Sequence, residues 1–191
     1  MRRCASGIFG SRFGRFAVWS SDEGLAILRT GSQVFIDATF HVTPHPFAQC
    51  LIVMAHDTST NVHVPCAWAL MSGRDEFLYC EVLHVLVVAL DYHWSPRAVV
   101  VDFEKALVRA VQYQFPESRI TGCWFHFRQA LHRKIVKLGI ERDVENLIMQ
   151  NLEQLTEYSG EDIVRQLAAM EATIVQSNPS LALFWDYFRR V

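Results

Sequence analysis

Between residues 33 and 71 the apolar positions fall into three dense runs: VFIDATFHV (34–42), AQCLIVMAHDT (48–58) and VHVPCAWALM (62–71). Each is rich in β-branched or aromatic side chains and bounded by Pro, Asn, Asp or Ser, which predicts three strands. Their short connections predict an antiparallel meander. The spacing then becomes helical, with Phe77, Cys80, Leu83, Val87 and Leu90 recurring every three or four residues through 72–90. A fourth strand over RAVVVDF (97–103), a helix over 104–115, a fifth strand over RITGCWF (119–125) and a helix over 126–139 closed by Gly139 follow. The order is βββαβαβα, an α/β pattern. Beyond Gly139 no strand signal recurs: 141–157 and 160–177 read as helices, and a turn-rich piece follows Asn178-Pro179.

Upstream, SSDEGLAILRTGS reads as a short helix with Ser20 or Ser21 as N-cap, acids in its first turn and Gly31 as its stop. Before it, Arg2, Arg3, Arg12 and Arg15 precede the first acid, Asp22, among serines and glycines. That composition resembles an organellar transit peptide and equally an ordinary flexible leader; the lack of an amphipathic stripe through the glycines favours the leader. The expected organisation is a lead-in over 1–20, a core over 21–139 and a helical region over 140–191.

Charge and cysteine content narrow the partners and the compartment. A net charge of −2 and a pI near 6.4 supply no global basic field, so any contact with a polyanion has to be local. Cys4, Cys50, Cys66, Cys80 and Cys123 are odd in number and form no C-x-x-C pair, which fits reduced thiols in the cytosol or nucleus. The longest apolar run, 85–90, falls far short of the ~20 residues that a bilayer span requires, so a soluble protein without a membrane partner is expected.

Two aspartates stand out against the strand pattern. Asp37 interrupts Val34-Phe35-Ile36 on one side and Ala38-Thr39-Phe40 on the other, and Asp102 interrupts the fourth strand after three valines. A carboxylate among apolar strand residues is expensive unless it is paired or holds a cation. The βββαβαβα order is that of ribonuclease H-like mixed sheets, whose first and fourth strands are neighbours; by that analogy of fold the two acids meet. Converging carboxylates repel each other, and their hard oxygens suit Mg²⁺ or Mn²⁺, the setting for two-metal phosphoryl transfer. Each acid also has an ordinary explanation. Asp102 stands where a helix begins and is a favoured cap, although Lys105 occupies the place where a capping box wants an acid. Asp37 is equally explained by a strand that ends at Ile36.

The segments FIDATFHVTPHPFAQCLIV, VPCAWALMSGRDEFLYCEVL and VVVDFEKALVRAVQYQFPESRITGCWFHFRQALHRKIVKLGI, with NPSLALFWDYF more weakly, resemble the core of Mutator-like element (MULE) transposases. D-x-T-F, D-F-E and G-C-x-F-H occur in that order and spacing, and the likeness runs from about Ala26 to the C-terminus. It implies a DDE transposase with a ribonuclease H-like core, two metal ions and cut-and-paste movement of DNA in the nucleus. By the same resemblance Asp37 matches the first catalytic carboxylate, Asp102 the second, and Cys123 and His126 the C-x-x-H element. DNA is the implied partner, and self-association stays open.

The departures from that pattern lie downstream. The third carboxylate of the family is a glutamate on a helix beyond an all-helical insertion, whereas this chain closes with FWDYFRRV; Glu145, Glu153, Glu157, Glu161, Glu171 and Asp186 all stand in other contexts. A catalytic-core fragment, truncated before that acid, is therefore expected. Cys123-x-x-His126 supplies half of a zinc site, but no second pair stands at finger spacing, which favours a buried thiol and a hydrogen-bonded histidine. The helix after it carries Phe127, Leu131, Ile135 and Leu138 on one stripe and Arg128, His132, Arg133, Lys134 and Lys137 on the rest. Arg128, Arg133, Lys134 and Lys137 are the candidate phosphate contacts, against the ordinary reading of a solvated basic face. Two functional classes follow: the core of a DNA transposase, and a domesticated, non-catalytic relative that binds DNA or a regulatory partner.

Overall fold

The computed structural model describes residues 5–40, 43–155, 158–177 and 181–189. Among these, seven strands form one mixed sheet and seven helices accompany them. β1 (Ala5–Ser11) and β2 (Gly14–Ser20) precede α1 (Asp22–Thr30). β3 (Gln33–Thr39), β4 (Gln49–Asp57) and β5 (Val62–Met71) form the meander that the sequence predicts, and α2 (Glu76–Ala89), β6 (Ala98–Val101), α3 (Lys105–Gln114) and β7 (Arg119–Gly122) follow. The sheet order is β1-β2-β5-β4-β3-β6-β7. β3 pairs antiparallel with β4 on one side and parallel with β6 on the other, so the first and fourth strands of the predicted series are neighbours.

The helices begin where side chains take up their free N–H groups. Ser21, rather than Ser20, caps α1: its hydroxyl accepts from the Gly24 N–H at 3.0 Å. Ser20 instead donates to the Cys66 carbonyl at 2.6 Å, tying the end of β2 to β5. Asp75 caps α2 by accepting from the Phe77 N–H at 2.9 Å. One apolar core joins these parts, with Val34 and Ile36 of β3, Leu51 and Val53 of β4, Val99 and Val101 of β6, Leu83 and Leu86 of α2, and Leu107 of α3 all buried.

Several elements differ from the sequence reading. Residues 5–20 form a β-hairpin, in register from Ala5 opposite Ser20 to Ser11 opposite Gly14, whose second strand extends the sheet beside β5. The lead-in expected over 1–20 is thus corrected there; residues 1–4 lie outside the described residues. Glycines and serines hid the first strand, but Phe16 and Val18 on the second are buried against the core. Periodicity also found only part of the buried face of α2, Leu83 and Val87 with Leu90 just beyond it, because that helix is apolar nearly all round. Leu78, Tyr79, Val82, Leu83, Leu86 and Val87 are buried, whereas Phe77 is exposed and stacks on Phe13 at 4.7 Å. β6 stops at Val101 and β7 at Gly122, both shorter than predicted, and β3 is described to Thr39, with His41 and Val42 outside the described residues.

The chain divides into two compact units, residues 1–123 and 124–191, a boundary earlier than the one expected at Gly139. The reason is local: α4 (Trp124–Lys137) starts immediately after β7 and packs in the second unit with α5 (Arg142–Gln154) and α7 (Ala182–Phe188). With α6 (Glu161–Ser177) these helices build their own core around Leu131, Ile135, Ile148, Leu152, Phe184 and Trp185. Glu157 and the Asn178-Pro179 break fall outside the described residues.

α1 approaches the sheet closely at Gly24, since a Cβ there would collide with the Cys66 carbonyl oxygen. Alanine in a helix is ordinarily favoured over glycine by ~1 kcal/mol. At this position overpacking, worth roughly 1–3 kcal/mol, opposes that gain and outweighs it. Gly24→Ala is therefore expected to lower the urea midpoint without changing the m-value; a raised midpoint would contradict the close approach.

Candidate active site

The register of β3 on β6 decides where the two aspartates lie. Val34 faces Val99, Phe35 faces Val100 and Ile36 faces Val101, and the next residue on each strand is Asp37 or Asp102. Both acids therefore leave neighbouring parallel strands at the same level, with strand axes ~4.8 Å apart. β3 continues beside β4, where Asp37 pairs with Ile52, whereas β6 ends. The alternation of β3 buries Val34 and Ile36 and sets Phe35 and Asp37 on the opposite face.

Asp37 is exposed, and its carboxylate accepts from the Ala38 N–H at 2.8 Å. The cost of burying a carboxylate, which the sequence pattern suggested, does not arise here. What remains is the placement of two acids at one level of neighbouring strands. Asp102 is half-buried and is not the cap of α3: that position belongs to Glu104, whose side chain makes no capping bond. The Asp102 carboxylate instead accepts from the Glu104 N–H at 3.0 Å, closing a short turn between strand and helix.

Beneath this turn lies a group of polar side chains that periodicity did not single out. The Tyr79 hydroxyl donates to a Glu104 carboxylate oxygen at 3.0 Å and meets the Gln49 amide, whose Nε2 lies 2.8 Å and Oε1 3.1 Å away. Gln49 also donates to the Gly73 carbonyl at 3.0 Å. Tyr79 and Gln49 are both fully buried. Burial drives the Tyr79 phenol well above its ordinary range, the Gln49 hydrogen bond opposing and the Glu104 charge adding to the rise. Burial likewise pushes the Glu104 carboxyl up; the Tyr79 hydrogen bond and Arg74 pull it back, and Asp102 adds to the rise. A lone amide in the strand QCLIVMAHD was the one sequence signal for this group.

The other expected site residues are distributed between the two units. Cys123 is a half-buried free thiol whose backbone N–H donates to the Val101 carbonyl at 2.7 Å, and His126 lies on α4 of the second unit. Among the described residues no three His, Cys, Asp or Glu side chains gather as a metal site would require. Asp37 and Asp102 offer the hard oxygen donors that Mg²⁺ or Mn²⁺ prefers, and so fit such an ion as part of its ligand set.

On α4, Leu131 and Ile135 are buried and Phe127 half-buried, and Leu138 just past its end is half-buried too, along the stripe that the sequence predicts. The four expected phosphate contacts differ among themselves. Arg128 bonds Glu153 at 2.6 Å and Lys134 lies over the Tyr187 ring at 5.1 Å, whereas Arg133 and Lys137 are exposed. His132 pairs with Glu145. A groove of about 700 Å³ between α4 and α5 exposes Trp124 and Phe125, but Glu145 and Glu153 share its lining with Arg128 and His132.

Comparison with known proteins gives three findings. The family model described as the MULE transposase domain matches residues 33–130. The crystal structure of the fowlpox virus Holliday junction resolvase is similar at 10% identity over 75% of this chain and 98% of that chain, with a TM-score of 0.28, too loose a superposition to bear on function. No curated protein matches the sequence.

Asp102→Ala removes the acceptor for the Glu104 N–H and is expected to cost about 1 kcal/mol, in the range of losing a helix-end cap. Asp102→Asn keeps an acceptor oxygen and should cost less than half of that. Equal losses in urea melts of the two variants would show that this turn does not depend on the hydrogen bond.

Proposed function

The chain belongs to the MULE transposase domain family, and we propose on that basis that it is the catalytic core of a DNA transposase, cleaving and joining strands by metal-dependent phosphoryl transfer on a ribonuclease H-like core. The observation that supports this reading is the Ile36–Val101 pairing, which delivers Asp37 and Asp102 to one level of adjacent strands. Asp37 and Asp102 would hold Mg²⁺ or Mn²⁺, which when bound activates a water or 3′-hydroxyl and stabilises the leaving oxygen. Exposed Arg133 and Lys137 contact DNA phosphates, with Arg128 and Lys134 contributing when they leave their internal partners. Its place of action is the nucleus, where its substrate lies.

A second reading draws on one specific observation: among the described residues no group of three His, Cys, Asp or Glu side chains forms, at Asp37 and Asp102 or elsewhere. A domesticated relative would keep the fold and the DNA contacts without cleavage. Metal binding separates the two, since a module that only binds DNA has no use for a working pair of acids at the strand ends.

Mg²⁺ or Mn²⁺ at a tenfold excess over its dissociation constant is expected to stabilise the protein by about 1.4 kcal/mol, a melting-temperature rise of about 3 °C for a chain of this size. Asp37→Asn should abolish that rise. A wild-type protein whose melting ignores both ions would favour the non-catalytic reading.

Two aspartates offer too few anionic ligands to fix two ions for in-line displacement, so the 191-residue chain alone is expected to bind DNA without cleaving it at a useful rate. Binding should be weak, indifferent to sequence and sensitive to salt. Changing Arg133 and Lys137 together to Gln should flatten the dependence of log K on log[salt] by about 2. Cleavage in Mn²⁺ by the unaltered chain, lost in Asp102→Asn, would show instead that a third acid already present completes the site.

A further inference from the structure

We infer that Tyr79, held by Gln49, is a positioning residue for the acid pair: it anchors Glu104, and through the Glu104 backbone it sets the carboxylate of Asp102. This rests on the reading of Asp37 and Asp102 as metal ligands and concerns how that site is held. β6 ends at Val101 and α3 begins at Lys105, so Asp102 stands on a connection of three residues, 102–104. Nothing in that connection packs as regular structure. The hydrogen bonds that hold it include the Glu104 N–H on Asp102 at 3.0 Å, the Tyr79 hydroxyl on the Glu104 carboxylate at 3.0 Å and the Val108 N–H on the Glu104 carbonyl at 3.0 Å.

The other end of this brace is firm. Tyr79 is fully buried on α2, and its hydroxyl meets both amide atoms of Gln49, a fully buried side chain that also donates to the Gly73 carbonyl. Gln49 and Ser20 are the buried polar side chains among the described residues, so an apolar core has admitted an amide directly beneath the acid-bearing rim. Such groups cost free energy unless every member is partnered, and a partnered set fixes geometry more narrowly than apolar contacts do. The loop from Gly73 also reaches the segment that follows the other acid. The Arg74 guanidinium, near enough to act on the Glu104 charge, lies 4.3 Å from the centroid of Phe40, three residues beyond Asp37.

Glu104 is itself an acid beside Asp102, but its carboxylate is turned to Tyr79, and no three acids gather as ligands among the described residues. Its part is to transmit position. A metal ligand held in place before the ion arrives loses less freedom on binding, and outer partners of this kind typically account for about 10- to 100-fold in metal affinity.

The test is Mn²⁺ affinity of the full chain, read by electron paramagnetic resonance of the free ion well below the melting temperature. Tyr79→Phe removes only the hydroxyl and should weaken binding about tenfold. Glu104→Ala should weaken it by a similar factor. Glu104→Gln, whose amide oxygen still accepts from Tyr79, should bind within about twofold of the wild type by the same reasoning. Val82→Ala, a buried α2 change about one turn along the helix from Tyr79, should lower the melting temperature without changing affinity, which separates positioning from general stability. Wild-type affinity in Tyr79→Phe or Glu104→Ala would overturn the inference while leaving the acid pair standing. A loss in Glu104→Gln as deep as in Asp102→Asn would overturn it too, by making Glu104 a ligand. Unchanged affinity in both Asp37→Asn and Asp102→Asn would remove the metal reading and the inference together.

Discussion

Parallel pairing of β3 with β6 is the constraint on which the site depends. The two strands are separated by β4, β5 and α2 in the chain, so their contact closes a long loop and is held by burial rather than by local preference. Val34, Ile36, Val99 and Val101 are all buried at that seam. A slip of one residue would turn the apolar set of β3 to the wrong face and carry Asp37 toward the core, which is why the register is narrowly specified. The hydrophobic fit of four aliphatic side chains thus sets the relative level of two carboxylates that contribute nothing to it.

Polar groups near those carboxylates are handled differently. Asp37 is solvated, and its position costs the fold little. Asp102 sits on a short connection and is tied to the backbone at the start of α3. Gln49, Tyr79 and Glu104 then carry the rigidity of α2 and β4 up to that connection through hydrogen bonds. Apolar packing sets the level of the acids, and the polar brace narrows the orientation of one of them.

The second unit shows why a count of basic residues overstates a binding surface. α4 carries Arg128, His132, Arg133, Lys134 and Lys137 along its polar side, but Glu145, Glu153 and Tyr187 contact three of them within the unit. Exposed ion pairs of this kind are worth ~0–1 kcal/mol, so they bend the local field more than they stabilise the helices. Arg133 and Lys137 stand exposed beside these contacts.

Side-chain period and local backbone chemistry were enough to read the element order from β3 to α4, a cap of α1 at Ser20 or Ser21, the apolar stripe of α4 and the candidacy of Asp37 and Asp102. The D-x-T-F, D-F-E and G-C-x-F-H segments carried the family as well. Tertiary structure alone decided the rest. The β1–β2 hairpin escaped notice because its glycines and serines carry no period, and only pairing with β5 makes Phe16 and Val18 core residues. The helical period picked out Leu83 and Val87 of the buried face of α2 but not Tyr79, because the helix is apolar nearly all round, and its packing is what turns Tyr79 inward to Gln49 and Glu104. Exposure of Asp37 and the internal pairing of Arg128 and Lys134 depend on neighbours distant in sequence. Period along a chain reports which residues share a face; which face meets which partner is set by long-range burial and hydrogen bonding, and that exists only in the folded molecule.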